Sequence, residues 1–234
     1  MAKNAEKERK ALVDQMRRQQ QAAERRRTLL VAGLAAVLVL VLVGGVAWAV
    51  RGELASRDLT KVGVTTAAAS CDPTITDPVS GQSVHVGPGT NQPTVTSVKY
   101  TTVPPTSGEH FVQPAYPSRP FYTATDRPAL EELVHNLEHG YTVAWYTSAT
   151  PQAQLDELKK IADLVRGDDK TSGKFIVSAW DDTRGAFPAG RTVALAHWGA
   201  KNGYRQLCGS VSGAAIQSFV KAHPYTDSPE PNAA

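Results

Sequence analysis

The hydrophobic pattern divides the chain at one place. From Leu29 to Val50, "LLVAGLAAVLVLVLVGGVAWAV" carries no charged residue. A helix of that length spans about 33 Å, enough to cross the core of a bilayer. Residues 1–28 ahead of it are polar and end in "ERRR". Beyond it, apolar positions come in short sets of helical or strand period. The pattern predicts a cytoplasmic tail at 1–28, a transmembrane helix at 29–50, a linker at 51–70, one domain at 71–228 and a tail at 229–234. A cleaved signal peptide is the competing reading, because "AWA" at 47–49 resembles a small-x-small cleavage site. The apolar run is longer than the usual signal core and favours the anchor.

Within the domain, "SVHVGPGTNQPTVTSVKYTTV" predicts strands at 83–86 and 94–103 around a Gly and Pro turn, followed by "PPTSGEHF" as a rigid loop. "DRPALEELVHNLEH" reads as a helix capped by Asp126, with Leu130, Leu133, Val134 and Leu137 as its apolar stripe and Gly140 as its stop. "YTVAWY" reads as an alternating strand. "TPQAQLDELKKIADLVRG" is a second amphipathic helix, "KFIVSAW" and "TVALAHW" are further strands, and "SGAAIQSFVKAHP" is a last helix. The irregular interleaving points to an α+β domain with a mixed or mostly antiparallel sheet and about three helices.

Charge then fixes an orientation. Residues 1–28 hold nine Lys and Arg against four Asp and Glu, so the positive-inside rule leaves the N-terminus in the cytoplasm and the domain outside the cell membrane. The tail reads either as a solvated helix that only sets topology or as one resting on anionic lipid headgroups. The net charge of +3 therefore gives no reason to expect a nucleic-acid partner: residues 52–234 carry 15 basic and 18 acidic side chains. Both cysteines, Cys71 and Cys208, fall in the exported part, which predicts one disulfide, with two buried thiols as the alternative.

The candidate chemistry sits in "LVHNLEHGY". His135, Glu138 and His139 share one arc of a helix, and two imidazoles at i and i+4 offer two nitrogens to zinc or a related ion. The glutamate supplies a third ligand, a catalytic base for metal-bound water, or a carboxylate that orients a histidine. The inverzincin peptidases share this spacing, but the likeness ends at these five residues. A structural reading competes, since a histidine at a helix C-terminus favours the negative end of the dipole. His110 in the "SGEH" loop would complete a three-nitrogen set, with His85 a more remote addition. His197 is expected at the edge of the core and His223 at a helix end. The exported part holds no methionine, so the donors suit Zn(II) or Cu(II) and argue against a Cu(I) carrier. No nucleotide, serine-hydrolase or C-x-x-C motif is present.

Taken in order, "HVGPGT", "VKYTTVPPTSGEH", "LVHNLEHGYTVAWY", "HWG", a cysteine and "SPEP" resemble a bacterial family of unknown function, the one numbered 3105, over roughly residues 71–231. The matching residues are Cys71, His85, Pro104, Pro105, Ser107, Gly108, His110, His135, Glu138, His139, Gly140, Trp198, Gly199 and Cys208. His197 stands outside that set. The resemblance implies that these histidines belong together and that a membrane anchor precedes the domain, but it brings no activity. The expected function is an extracytoplasmic domain binding a divalent metal through His110, His135, His139 and Glu138. A non-catalytic envelope module with a membrane or envelope protein partner is the alternative, and a metal-dependent hydrolase the third reading.

Overall fold

Every residue of "TVAWY", "FIVSA" and "VALAHW" is buried, so these strands are covered on both faces and their apolar character is continuous instead of alternating. This replaces the one-sided strand expected for "YTVAWY". The structure is a computed structural model that describes residues 2–233. Its helices are α1 (Ala2–Ser56), α2 (Leu130–Glu138), α3 (Gln152–Arg166) and α4 (Gly213–Ala222). Its strands are β1 (Ile75–Pro78), β2 (His85–Val86), β3 (His110–Phe111), β4 (Phe121–Tyr122), β5 (Thr142–Tyr146), β6 (Phe175–Ala179), β7 (Val193–Trp198) and β8 (Asn202–Cys208).

The chain forms two compact units, residues 1–57 and 58–234. The first is α1, whose stretch Met16–Val46 is long and apolar enough to cross a membrane. The second is an α+β domain around a mixed six-stranded sheet ordered β1-β8-β7-β5-β6-β4. β1, β8, β7 and β5 run antiparallel to their neighbours, and β5, β6 and β4 pair in parallel. One face packs Val143, Trp145, Ala196 and Trp198 against Leu133, Val134 and Leu137 of α2. The other packs Val177, Val193 and Leu195 against Leu158, Ile161 and Val165 of α3 and Ile216 and Phe219 of α4.

Several expected boundaries shift for identifiable reasons. Residues 94–103 form no strand, because side chains take their backbone groups. Glu131 accepts from Val98 N at 2.8 Å, and Arg184 donates to Val98 O at 3.1 Å. Asp126 does not cap α2, since it accepts from Thr123 N at 2.6 Å in the preceding turn and pairs with Arg119. The helix starts at Leu130, with Glu132 accepting from Ala129 N at 3.0 Å. The second unit begins ahead of Cys71. Leu59 and Val62 are buried in the α3 and α4 core, and Gly213 N donates to Val62 O. Cys71 and Cys208 are bridged across 137 residues, which ties this lead-in segment to the end of β8.

His197 lies in the core and not at its edge. Fully buried on the α4 face of β7, it has Thr142 Oγ1 3.4 Å from Nδ1 and the His223 ring beside it. Burial, reinforced by His223 and opposed by a hydrogen bond to the Tyr141 backbone, pushes its pKa from 6.5 down to about 3. A depressed imidazole pKa means that the unfolded chain binds the proton first. The stabilising effect is complete above pH 6.5 and is lost as pH falls toward 3. Urea titrations should show His197→Leu losing stability less steeply than the wild type between pH 6 and pH 4. The slopes should differ by up to about 1.4 kcal/mol per pH unit, whereas parallel profiles would mean that His197 does not carry the effect.

Candidate metal centre

The end of α2 is a glycine-dependent stop. Gly140 N donates to Leu137 O and Tyr141 N to Asn136 O, both at 3.0 Å, with Gly140 at φ +91°. This double bond pattern requires a left-handed residue at the turn. A Cβ on Gly140 would also lie 2.6 Å from Tyr225 O, so the glycine admits the C-terminal segment against the helix end. The stop leaves His135 and Glu138 on the last helical turn and His139 at its cap.

The second wall is the two-stranded parallel pair of β2 and β3. Its register sets His85 opposite His110, which places the rings 4.9 Å apart. Gly108, at φ +140° and with Tyr100 where its Cβ would be, carries the loop into β3. The rings of His110 and His85 lie 4.6 and 5.0 Å from that of His135. One ligand atom from each of His85, His110, His135 and Glu138 falls within 4.8 Å of all the others. The donors of one tetrahedral ion with bonds of about 2.0–2.2 Å lie about 3.3–3.6 Å apart, so the widest pair would have to close by about an ångström around an ion. This His and Glu group could hold a metal ion.

The expected partners are distributed unevenly around this group. His110, His135 and Glu138 converge as the sequence suggested. His85, ranked last there, stands with them. His139 lies just outside, its Nε2 at 2.9 Å from His135 Nε2 and 3.5 Å from Glu230 Oε2. Glu230 escaped the sequence reading because it sits in a polar, proline-rich tail without periodicity. Its one legible signal was its place in the "SPEP" motif. His223 caps α4 as expected.

Outer hydrogen bonds orient the inner atoms. His110 Nδ1–H donates to Gly108 O at 2.8 Å and His135 Nδ1–H to Phe111 O at 2.6 Å. Glu138 Oε1 accepts from Ser83 N at 2.6 Å. Carbonyl partners on Nδ1 fix the tautomer in which Nε2 offers a lone pair, as in metal-binding histidines. His110 Nε2 then faces Glu138 Oε2 at 3.0 Å, yet neither atom has an aligned hydrogen bond, and His85 Nε2 is likewise buried without one. Burial, helped by the other three imidazoles and opposed by Phe111 O, pushes the His135 pKa down to about 4. Burial acts to raise the Glu138 carboxyl, but the His110 ring, the Ser83 amide and His135 outweigh it and hold it below the ordinary carboxylate range.

A buried lysine fastens the C-terminal segment beside the cluster. Lys174 Nζ donates to the carbonyls of His139, Pro231 and Ala233 at 2.7, 2.8 and 2.8 Å, and burial lowers its pKa. The expected tail is therefore packed against the domain.

These features define a class: an α+β domain in which a helix end and a two-stranded bridge bury an imidazole and carboxylate cluster. The profile of the family described as protein of unknown function (DUF3105) matches residues 91–234, and the chain belongs to that family. The match includes His110, His135, Glu138 and His139, and begins after Cys71 and His85. No curated protein and no solved structure matches the chain.

Lys174→Met should lower stability by about 1–3 kcal/mol, because it leaves buried carbonyls without a donor. The check is urea unfolding of the full chain, and an unchanged midpoint would show that the ammonium is not what holds the segment.

Proposed function

We propose that this protein is a single-pass membrane protein whose extracytoplasmic domain holds one divalent transition-metal ion on His85, His110, His135 and Glu138. One observation carries the reading: His110 Nε2 and Glu138 Oε2 lie 3.0 Å apart, with both side chains fully buried and no hydrogen bond aligned between them. Two buried lone-pair atoms at that separation repel unless a cation or proton lies between them. Three imidazoles and one carboxylate give a net charge of −1, which suits Zn(II) or Cu(II).

Four protein donors fill a tetrahedral site, whereas catalytic zinc keeps one position open. Glu138 is engaged through Ser83 on one oxygen and turned to His110 with the other, so it is a ligand and not a base for hydrolysis. The reading is accordingly of metal holding, in a domain placed outside by the basic residues that precede the apolar run.

Elemental analysis of the full chain purified in detergent should find about one ion per chain. His85→Ala and His110→Ala should each bring that below a tenth. Free Zn(II) at a hundred times its Kd should stabilise the wild type by about 2.7 kcal/mol. A wild type that carries no metal and whose stability ignores zinc and copper would overturn the assignment. Placement is checked separately: an export-dependent reporter fused after Ala234 should be active, while activity of a cytoplasm-dependent one would reverse the orientation.

A further inference from the structure

We propose that His139 and Glu230 form an outer capture position for the metal, from which the ion passes to the buried centre through His135. The inference rests on the metal-holding reading above and adds a second position that the inner four residues do not include.

Burial falls off along a connected line of donors. Glu138 and His110 side chains are 0% exposed, His139 is 9% exposed and Glu230 is 40% exposed. Along that line Glu230 Oε2 lies 3.5 Å from His139 Nε2, and His139 Nε2 lies 2.9 Å from His135 Nε2. Two nitrogens 2.9 Å apart both lie within bonding distance of one ion with bonds of about 2.0–2.1 Å. An ion held by His139 and Glu230 therefore reaches His135 by exchanging one ligand at a time, with no step across open space. His135 is the shared residue, since it belongs to the inner group and, with Nδ1 on Phe111 O, has Nε2 left to offer it.

The outer carboxylate is placed for this by the fold. Glu230 N donates to Glu138 O at 3.1 Å, and Ser83 Oγ donates to Glu230 Oε1 at 3.5 Å. Ser83 therefore touches both carboxylates, its amide on Glu138 and its hydroxyl on Glu230. Lys174 holds the carbonyls of His139 and Pro231 together, one from each side of the pair. His135 Nδ1–H is committed to Phe111, so His139 Nε2–H donates to His135 Nε2 before an ion arrives. To take the ion on Nε2, His139 first gives up that proton, to its own Nδ1 by way of water; once the ion has moved to His135, Nε2 takes a proton back and the Glu230 carboxylate is its next acceptor.

The test is transfer of Zn(II) from a chromophoric chelator to the full-length protein in detergent, followed by stopped flow. Final metal content and the Co(II) absorption spectrum are read on the same samples. H139Q and E230Q should each slow loading at least tenfold while content stays at one ion per chain and the Co(II) spectrum stays that of the wild type. Ser228→Ala, in the same C-terminal segment, should load at the wild-type rate. The proposal is overturned if both variants load within twofold of the wild type. It is equally overturned if either loses the ion altogether, which would put its residue in the inner centre, or if Ser228→Ala slows loading as much as E230Q. A wild type that takes up no metal overturns this proposal and the metal-holding reading together, whereas wild-type binding with unaffected variant rates overturns this one alone.

Discussion

The stop at Gly140 is the constraint on which the rest of the domain depends. The helix must end there in a left-handed residue, and the next residues must become β5, the strand at the centre of the sheet. That leaves one turn of helix, His135 to Glu138, facing the β2 and β3 bridge, while the same glycine lets the Tyr225 carbonyl come close. Sheet, polar cluster and C-terminal segment thus meet at a single backbone reversal. A side chain at position 140 would strain the turn and push against two of its neighbours at once.

The cluster would be costly if it were only packing. Burying a carboxylate and two or three imidazoles sacrifices their hydration, and a core of this size has apolar alternatives available at the same positions. The surroundings recover part of that cost in a particular way. Carbonyls take the Nδ1 protons of His110 and His135, and the Ser83 amide takes one Glu138 oxygen, so the outward atoms are satisfied. The inward ones, His85 Nε2, His110 Nε2 and Glu138 Oε2, are left without aligned partners. Trp198, edge-on to His110 at 5.8 Å, closes the sheet side and keeps the local dielectric low, which strengthens any cation held there.

The parts of this fold that were legible in the sequence are those whose period is long enough to read. Leu133, Val134 and Leu137 repeat at helical spacing and pack as that spacing requires. The apolar runs of β5, β6 and β7 are strong strand signals even though both of their faces are buried. β8 was not legible, because Arg205 and Gln206 interrupt "NGYRQLC". Arg205 is there to pair with the buried Asp77 of β1 at 2.8 Å, a contact between residues far apart in sequence. The site divides in the same way. His135, Glu138 and His139 announce themselves by spacing along one helix. His85 joins them only through the register of two two-residue strands, and no local pattern carries that register. Glu230 is further still from reach, since its position depends on the Lys174 clamp.

That clamp bears on what kind of site this is. Lys174 sits at the start of β6 with its ammonium buried among three carbonyls, so it fixes the cap of α2 and the end of the chain to one point. Loosening either one therefore disturbs the other, so the helix end and the C-terminal segment are tied into one unit. A hydrolytic centre would need that unit to admit a substrate beside the ion and to release a product. What it offers instead is a line of donors from the half-exposed Glu230 carboxylate to the fully buried one of Glu138. Such a line fits the proposed acquisition and retention of an ion better than it fits turnover.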